Sequence, residues 1–430
     1  MTVDSEHLLA EEVARLWAAR DLDELTTPGA KFLTTGSATD WGMVTEIESA
    51  VPPITLGGGI PDPVSLPRQA LVEAMARAVA TEDGTDDGAL RYGGPEGYEP
   101  LREALAARYT RDRGFPVSAA NFLLTNGSAG AIDQICSAFI SPGDVIITEA
   151  PTFSGTLRTF RGHEAVIEPV GMDEQGMLVD DLEPLIERLT AEGKHVKLIY
   201  TISNFHNPMG VTMSLARREA LIRVAARHGA FILDDDAYGE LHFPGWDRPP
   251  ALSALSGCNG VITVGTFSKV IATGLRVGWV HTTPEIIDRI TRVRFEMGNS
   301  PLLHRMLYEF MKDGKLDEHI ARMQELYLSK LDTLCDALRE YCEPYLTFRR
   351  PHGGFFLWVD LQEGLDGREV QQAAIAEGLI AAAGYGFYPD RMDAGNHMRL
   401  AYSWVAEDDL REAARRLGVA CSRVAERGEA

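Results

Sequence analysis

Short apolar runs alternate with helix-patterned segments through the middle of this chain, and that alternation limits the possible folds more than any other feature. The runs are mostly apolar throughout rather than apolar at every second residue, and they cover residues 144–149, 196–200, 231–235 and 261–264. Such runs are typical of strands buried on both faces of a parallel sheet. Residues 214–228 have helical spacing, with Ser214 as an N-cap and Gly229 as a stop. The alternation of strands and helices along the chain predicts a doubly wound α/β layer.

The length of the chain and a later change of pattern predict more than one domain. A single hydrophobic core stops growing near about 250–300 residues, and this chain has 430. Long helical patterns begin after about residue 300, and apolar runs follow at residues 353–361 and 397–403. We therefore predict an N-terminal arm or helical extension (1–50), a segment joining the small domain (51–75), a large domain (76–300) and a small C-terminal domain (301–430).

The N-terminal arm has an amphipathic pattern. Residues 5–25 place Leu9, Val13 and Leu16 at helical spacing, which predicts a helix that packs on another surface. The stretch up to about Val51 is rich in Thr and Gly and predicts an extended lead-in. The first residues are acidic and lack the apolar core of a signal peptide, and no stretch approaches the about 18 apolar residues of a membrane span. These features predict a cytoplasmic protein with no membrane contact.

Charge and cysteine usage argue against two classes of function. The chain has 41 Lys and Arg against 63 Asp and Glu, a formal net charge of −22, which repels a polyanion and makes nucleic acid an improbable partner. The five cysteines are scattered, without a CxxC motif or a histidine at metal-ligand spacing. We therefore predict reduced thiols and no metal site.

A lysine in the segment GTFSKVIATGLRVG (265–278) is the first candidate for chemistry. Lys269 follows a buried strand and two hydroxyl residues, Thr266 and Ser268, and Arg276 comes seven positions later. A lone lysine of this kind is more often a solvated surface charge. The motifs elsewhere in the chain decide between the two interpretations.

Three further motifs follow apolar runs. Residues 233–238 (LDDDAY) place three adjacent acids and Tyr238 at the carboxyl edge of a strand, where α/β sheets gather ligands. A cluster that caps a helix is the less favoured alternative. Residues 203–210 (SNFHNPMG) supply the side-chain amide of Asn207 or simply a tight turn. Residues 125–130 (TNGSAG) open a helix and suit a phosphate, or form an ordinary glycine-rich turn.

Taken in this order, the motifs resemble those of the fold-type I pyridoxal 5′-phosphate (PLP) enzymes. The similarity is to the class I/II aminotransferase branch, in the group that contains aminoadipate and kynurenine aminotransferases, and it runs from Ile54 to Trp404, about four-fifths of the chain. The resemblance implies an α/β fold. It also implies a large domain with a mainly parallel seven-stranded sheet between helices, and a smaller α+β C-terminal domain.

The resemblance implies PLP as the cofactor and assigns roles around it. Lys269 would form the Schiff base and later move a proton, and Asp235 would pair with the pyridinium nitrogen, which keeps the ring an electron sink. Asn207 and Tyr238 would hydrogen-bond the ring hydroxyl. The phosphate would be held by side chains and backbone amides of Gly127, Ser128, Ala129, Thr266, Ser268 and Arg276.

Other matches concern the ring face, the partner subunit and the substrate. Phe153 would stack on the ring, with a core aromatic as the less favoured alternative. Tyr92 would cross to the phosphate of the partner subunit's cofactor, which implies a homodimer with shared sites. Arg399 would bind the substrate α-carboxylate as a bidentate fork, assisted by Asn207. Gly59, in the segment GGGIP, would belong to a loop that closes over substrate.

The chain departs from its relatives near the phosphate and the substrate. Relatives often have Gln-Gln where Ala129 and Gly130 stand, proline for Thr273, glutamine for His206 and tyrosine for Phe153. No catalytic role is removed, but there are fewer polar groups to select the reaction. His206 is either a titratable group beside the ring or a packed histidine.

The expected function is therefore a PLP-dependent aminotransferase that moves an amino group between an L-amino acid and a 2-oxo acid by a ping-pong mechanism. An alternative keeps the cofactor and fold but performs β- or γ-elimination or replacement, decarboxylation or oxidative deamination of an amino acid, in specialised biosynthesis. A PLP-binding sensor domain of a transcription regulator is a further alternative, which the acidic N-terminal segment disfavours. The substrate side chain and the amino acceptor stay open.

Overall fold

A computed structural model describes residues 3–34, 49, 51–80, 88–389 and 396–428. The N-terminal region contains the helices α1 (Val3–Ala18) and α2 (Pro28–Thr34), the strand β1 (Ile54–Thr55) and the helix α3 (Arg68–Val79). The predicted N-terminal helix is confirmed, and its apolar side chains Leu9, Leu16 and Trp17 are all more than half exposed on this chain. The predicted extended lead-in is wrong at residues 28–34, which are helical, and residues 35–48 lie outside the described part.

A large sheet forms the centre of the molecule. Its strands lie in the order β2-β9-β8-β7-β6-β3-β4-β5. The central strands β8, β7, β6, β3 and β4 pair in parallel, whereas β9 is antiparallel to both its neighbours and β5 is antiparallel to β4. The bounds are β2 (Phe122–Thr125), β3 (Val145–Ala150), β4 (Val166–Asp173), β5 (Gly176–Met177), β6 (Val196–Thr201), β7 (Phe231–Asp235), β8 (Val261–Thr266) and β9 (Gly278–His281). The predicted seven-stranded, mainly parallel sheet is confirmed, with the two-residue β5 added at its edge.

The sheet is covered on both faces, which explains why its strands are continuously apolar. Successive side chains of a strand point to opposite faces, so Ile146 and Ile147 of β3 belong to two different buried clusters. The covering helices are α4 (Glu99–Arg113), α5 (Gly127–Phe139), α6 (Ser154–Gly162), α7 (Leu182–Ala191), α8 (Leu215–His228), α9 (Leu252–Ser256), α10 (Phe267–Val270) and α11 (Pro284–Thr291). Helix α8 has the predicted caps, because Ser214 accepts from the Arg217 N–H and Gly229 is left-handed at φ 66°.

The C-terminal region has its own antiparallel sheet, in the order β10-β11-β14-β13. Its elements are α12 (Pro301–Met311), α13 (Lys315–Tyr341), β10 (Leu346–Phe348), β11 (Phe356–Leu361), α14 (Gly367–Ala376), β12 (Leu379–Ile380), β13 (Ala382–Ala383), β14 (His397–Ala401) and α15 (Glu407–Gly428). The strand β1 pairs with β12, so residues 54 and 55 are attached to the C-terminal region. This pairing brings the segment after β1 to the edge of the large sheet. The exact domain boundaries proposed above stay predictions.

Cysteine, metal and membrane features can be stated for the described residues. All five cysteines are unpaired and buried, and burial raises the pKa of the Cys335 thiol to about 11 and that of Cys421 to about 12. No group of three or more His, Cys, Asp or Glu in the described ranges could hold a metal ion. Among the helices that are described, none has both the length and the apolar character needed to cross a membrane.

Candidate active site

The carboxyl ends of β6, β7 and β8 bring the predicted residues to one edge of the sheet. Asp235 is the last residue of β7, Lys269 lies in α10 directly after β8, and Asn207 lies in the loop after β6. These strands are neighbours in the sheet, so residues far apart in sequence meet there. All the candidate residues except Tyr92 lie around this edge.

Asp235 has one satisfied and one unsatisfied carboxylate oxygen. Tyr200 donates to Oδ2 over 3.0 Å, and Tyr200 is itself 3.1 Å from the Thr156 hydroxyl. The other oxygen, Oδ1, is buried without a partner among the described residues. Burial, with Asp234 and Asp236 nearby, raises the pKa of Asp235 to about 7. A cation placed against Oδ1 would satisfy this oxygen and restore the charged form.

The two other acids of the LDDDAY motif have separate partners. Ser203 donates to Asp234 over 2.7 Å, and the Asn204 amide donates to Asp236 over 2.7 Å. The fully buried guanidinium of Arg218 donates to Asn204 Oδ1 over 2.7 Å. Only Asp235, of the three, has a free carboxylate oxygen in the cavity described below.

Lys269 is half-buried and lies close to Tyr238. Its Nζ donates to the carbonyl of Gly59 over 2.8 Å and lies 5.9 Å from the centre of the Tyr238 ring. Burial, followed by the positive charge of Arg399, lowers the pKa of Lys269 to about 8. About a tenth of this amine is therefore neutral near pH 7, far more than for an ordinary lysine, and the neutral form is the one that a nucleophile or general base requires.

Arg399 is a buried arginine of β14 whose contacts fix its position. It donates to Asn207 Oδ1 over 2.8 Å and to the Gly57 carbonyl, and it lies between the rings of Phe356 and Phe387 at 4.5 and 4.6 Å. Its Nε is buried without a partner among the described residues. Burial lowers the pKa of Arg399 to about 10, so the group keeps its charge at neutral pH and can bind a carboxylate.

Asn207 connects Arg399 to Tyr238. Its side-chain oxygen accepts from Arg399, and a second hydrogen bond joins it to Tyr238. Burial raises the pKa of the Tyr238 phenol, and the hydrogen bond to Asn207 only partly opposes that rise. The peptide bond between Asn207 and Pro208 is cis. The neighbouring His206 is fully buried, with its Nε2 3.1 Å from Glu149, so it has a partner on the side of β3.

The N-terminus of α5 and the loop after β8 form a close cradle. Thr266 accepts from the Ser268 N–H over 3.1 Å, and Arg276 donates to the Ser268 hydroxyl over 3.3 Å. A Cβ added at Gly127 would lie 2.8 Å from Arg276 Nη2, and one added at Gly278 would lie 2.8 Å from the backbone nitrogen of Ser128. Glycine is therefore needed at both positions for Arg276 and the helix N-terminus to approach one another. This donor set fits a phosphate.

A cavity of about 630 Å³ adjoins the cradle. It is lined by Ser128, Ala129, Phe153 and Asp235, and also by residues of α2 and by Gly386 and Tyr388. Its volume is within the usual range for a cofactor and a small ligand. The aromatic group of Phe153, the free oxygen of Asp235 and the α5 N-terminus thus face one space, and the residues present fit PLP.

Tyr92 is the predicted residue that this chain does not bring to the site. Its side chain is 89% exposed, and Leu90 at 72% and Phe295 at 90% are exposed as well. Tyr92 and Leu90 line a surface groove together with Met297. Sequence analysis also missed Tyr200, Ser203 and Asn204, although their positions on and after β6, beside the acids that end β7, were a usable signal.

The chain is similar to known aminotransferases over most of its length. The family described as aminotransferase class I and II matches residues 56–417. An aromatic-amino-acid aminotransferase of Thermococcus litoralis is 35% identical over 366 residues, which are 85% of this chain and 87% of the relative. The crystal structure of a multiple substrate aminotransferase from Thermococcus profundus has a TM-score of 0.86 at 31% identity and covers 95% of this chain and 100% of its own.

A third similar protein contains a form of the cofactor. An alpha-aminoadipate aminotransferase of Thermus thermophilus, solved with N-(5′-phosphopyridoxyl)-L-leucine, has a TM-score of 0.83 at 28% identity, covering 95% of this chain and 100% of that one. The predicted cofactor, fold class and reaction type are confirmed by these similarities. The chain belongs to the class I and II aminotransferase family and is a PLP-dependent aminotransferase of fold type I.

Proposed function

We propose that Lys269, Asp235 and Arg399 form the reactive centre, and that this centre transfers the amino group of an L-amino acid to a 2-oxo acid. The buried, unpartnered Oδ1 of Asp235 in the cavity lined by Phe153 and Ser128 carries this proposal. An isolated buried carboxylate is costly. A cationic ring nitrogen removes that cost, and no described protein group does so.

When bound, PLP supplies the electron sink that makes the Cα–H bond of an amino acid acidic. Asp235 holds the proton on the ring nitrogen, and Tyr200 orients Asp235. Asn207 and Tyr238 hydrogen-bond the ring hydroxyl. Gly127, Ser128, Ala129, Thr266, Ser268 and Arg276 hold the phosphate.

Lys269 carries the cofactor and afterwards moves the proton from Cα. Its lowered pKa leaves enough neutral amine to accept that proton. Arg399 binds the α-carboxylate, and Asn207 supports the guanidinium from the side. By holding the α-carboxylate, Arg399 would fix the orientation of the substrate at Cα, and that orientation would decide which bond at Cα is broken. Phe153 covers the ring and excludes water from one face.

The rate at which the apoenzyme takes up PLP is expected to follow the neutral fraction of Lys269. Because the protonated amine is not a nucleophile, the rate should rise about tenfold per pH unit below about pH 8 and level off above it. In Arg399→Gln the midpoint should move upward, since one cause of the lowered pKa is removed. Stopped-flow absorbance measures the rate of PLP uptake and the midpoint of its pH dependence in both proteins. A wild-type rate that still rises tenfold between about pH 9 and 10 would contradict the assignment.

An assay with and without an oxo acid tests the reaction type. The aminotransferase should convert an amino acid completely only when a 2-oxo acid is present, and initial rates should give the parallel lines of a ping-pong mechanism. The related proteins are named for aromatic amino acids and alpha-aminoadipate, so L-phenylalanine and L-2-aminoadipate are suitable donors. Ammonia, carbon dioxide or peroxide formed without any oxo acid would favour elimination, decarboxylation or oxidative deamination instead.

The exposed groove at Tyr92 supports a homodimer with shared sites. Tyr92, Leu90, Phe295 and Met297 expose large apolar surfaces, and apolar patches of this kind mark interaction sites. In the proposed dimer, Tyr92 contacts the phosphate in the partner subunit's site. The net charge of −22 argues against nucleic acid as a partner, and we place the protein in the cytoplasm.

Co-expression of Lys269→Ala chains with Tyr92→Ala chains tests the sharing. If Tyr92 acts across the interface, each mixed dimer contains one site with both changes and one intact site. Random mixing then recovers about a quarter of wild-type activity at limiting PLP. If Tyr92 acts within its own chain, every site of a mixed dimer is defective and no activity is recovered. Co-expression of Lys269→Ala with wild type is the control for mixing.

A further inference from the structure

The strands β3 and β6 separate at their carboxyl ends, beside the candidate active site. Their backbones pair in parallel as far as Thr148 and Tyr200, which are the last pair in their register. Strands that part at this edge of an α/β sheet leave the crevice in which ligands bind. The backbone N–H groups beyond the last pair need other partners, because a buried N–H group is costly to leave without a hydrogen bond.

The side chain of Glu149 joins the two strands beyond that last pair. Glu149 is completely buried. Its Oε1 accepts from the Thr201 hydroxyl over 2.6 Å, and its Oε2 accepts from the Ile202 N–H over 2.9 Å. The carboxyl group of Glu149 therefore replaces the backbone hydrogen bonds where the strands part, and it fixes the start of the loop that leads to Asn207.

The imidazole of His206 is the third donor to Glu149. His206 is fully buried, and its Nε2 lies 3.1 Å from Oε2 of Glu149. Its Nδ1 accepts from the Met209 N–H over 3.3 Å. A neutral imidazole has one donor and one acceptor nitrogen, so the contact with Met209 assigns the proton to Nε2. The ring of His206 thus attaches both ends of the turn around Asn207 to β3.

The side chain of Asn207 is the part of this turn that belongs to the active site. Because its Oδ1 accepts from Arg399, its amide nitrogen is the donor for Tyr238 and for the ring oxygen of PLP. The turn contains the buried Phe205 in the left-handed region at φ 48°, which is unfavourable for a bulky side chain. A strained turn keeps its conformation only where surrounding contacts fix it. His206 and Glu149 supply such contacts.

We propose that His206 and Glu149 are positioning residues that hold the Asn207 amide in place to donate to the ring oxygen of PLP. Neither residue lines the cavity beside Asp235, so both act through Asn207. His206 is thus neither a titrating group beside the ring nor a histidine that only fills the core. The inference rests on the proposed function, because it requires PLP attached to Lys269.

The absorbance of the holoenzyme as a function of pH tests the inference. A donor to the ring oxygen stabilises its negative charge, and loss of that donor makes the oxygen hold the neighbouring proton on the Lys269 nitrogen more tightly. The pH midpoint of the absorbance change should therefore rise by about one unit in His206→Leu, which has a side chain of similar size without a donor. His206→Gln, whose amide can still donate to Glu149, should stay within about 0.3 unit of wild type.

His281→Leu is the matched control for the loss of a buried histidine. His281 is also fully buried, but it pairs with Thr263 in the middle of β8, away from the carboxyl end that precedes Lys269. We expect both leucine variants to lower the melting temperature, and only His206→Leu to move the absorbance midpoint. A purely structural role of His206 would lower the melting temperature without moving the midpoint.

The outcomes separate this inference from the proposed function. A midpoint in His206→Leu that stays at the wild-type value, or that moves equally in His281→Leu or His206→Gln, would overturn the positioning role. If His206→Leu does not fold, Thr201→Val decides, since it removes only the 2.6 Å bond to Glu149. A midpoint above that of Thr201→Ser supports the inference, and an equal midpoint overturns it.

Two further measurements address the proposed function itself. Asn207→Ala removes the amide and should raise the midpoint at least as far as His206→Leu does. An unchanged midpoint in Asn207→Ala would overturn the proposed role of Asn207 at the ring oxygen. A wild-type protein without any absorbance band of bound PLP would overturn the proposed attachment at Lys269.

Discussion

The Lys269→Ala enzyme is expected to keep its fold and lose at least about 10³-fold in kcat, because the group that moves the proton at Cα is removed. The fold should survive because the amine is buried at a cost, as its lowered pKa indicates. Truncation removes that cost. Thermal unfolding of the apoprotein should therefore occur at the wild-type temperature or above it. Added methylamine should restore part of the rate, since a free amine can replace the missing base.

Lys330→Ala is the matched control for a buried lysine. Lys330 donates to Asp62 over 2.7 Å and to the Ser403 carbonyl over 2.9 Å. Its removal leaves Asp62 buried and unpaired, which typically costs about 3–5 kcal/mol. We expect Lys330→Ala to lower the melting temperature, while its kcat at a permissive temperature changes little. A Lys269→Ala enzyme that unfolds early, or that keeps more than about a tenth of the wild-type kcat, would contradict the assignment.

Asp235→Asn is expected to lower kcat/KM by about 10²–10⁴-fold. Loss of one member of a buried charge pair costs about 3–5 kcal/mol, and each 1.4 kcal/mol corresponds to a factor of ten. The amide keeps the shape of the side chain and can still accept from Tyr200. Asp236→Asn is the matched control, because Asp236 pairs with Asn204 and does not line the cavity, and it should lose less than about tenfold.

Asp235→Asn should also change how the stability of the apoprotein depends on pH. The pKa of Asp235 is raised from 3.8 to about 7 in the folded chain, so the folded state favours the protonated acid. The stability that this proton contributes is fully present below about pH 4 and is lost as the pH rises through about 7. Melting temperatures of apo wild type should therefore fall across this window more than those of apo Asp235→Asn. Equal pH dependence of the two proteins would show that Asp235 is not the buried acid.

The central sheet and the order of the site residues were predictable from local pattern. Continuous apolar runs such as β7 and β8 are uncommon outside buried parallel strands, and the caps Ser214 and Gly229 define α8 without any tertiary information. The choice of Asp235 among three adjacent acids needed the resemblance. In the structure the choice follows from the partners of the other two acids, Ser203 and Asn204, which lie in the loop after β6.

Helix α2 and the partners of the acids were not predictable in the same way. The segment PGAKFLT is seven residues long and contains Pro and Gly, so its intrinsic helix propensity is poor. Its conformation depends on packing against α6, where Gly29 lies directly over the Gly162 carbonyl. Tertiary contacts of this kind override local preference. Tyr200 was missed for a related reason, since a tyrosine within an apolar strand has the pattern of a core residue.

The backbone after β1 is hydrogen-bonded to the two cationic side chains that a substrate must contact. The carbonyls of Gly57 and Gly59 accept from Arg399 and Lys269. A carboxylate that approaches Nη2 of Arg399 must therefore compete with the hydrogen bond to Gly57 already made there, and the net affinity of that contact is the difference between two bonds rather than the full strength of one. Small anions of the cell, which bring no side chain to fill the cavity, gain little from that exchange. The hydrogen bond between Arg399 and Gly57 therefore favours substrates with a side chain over small anions at this arginine.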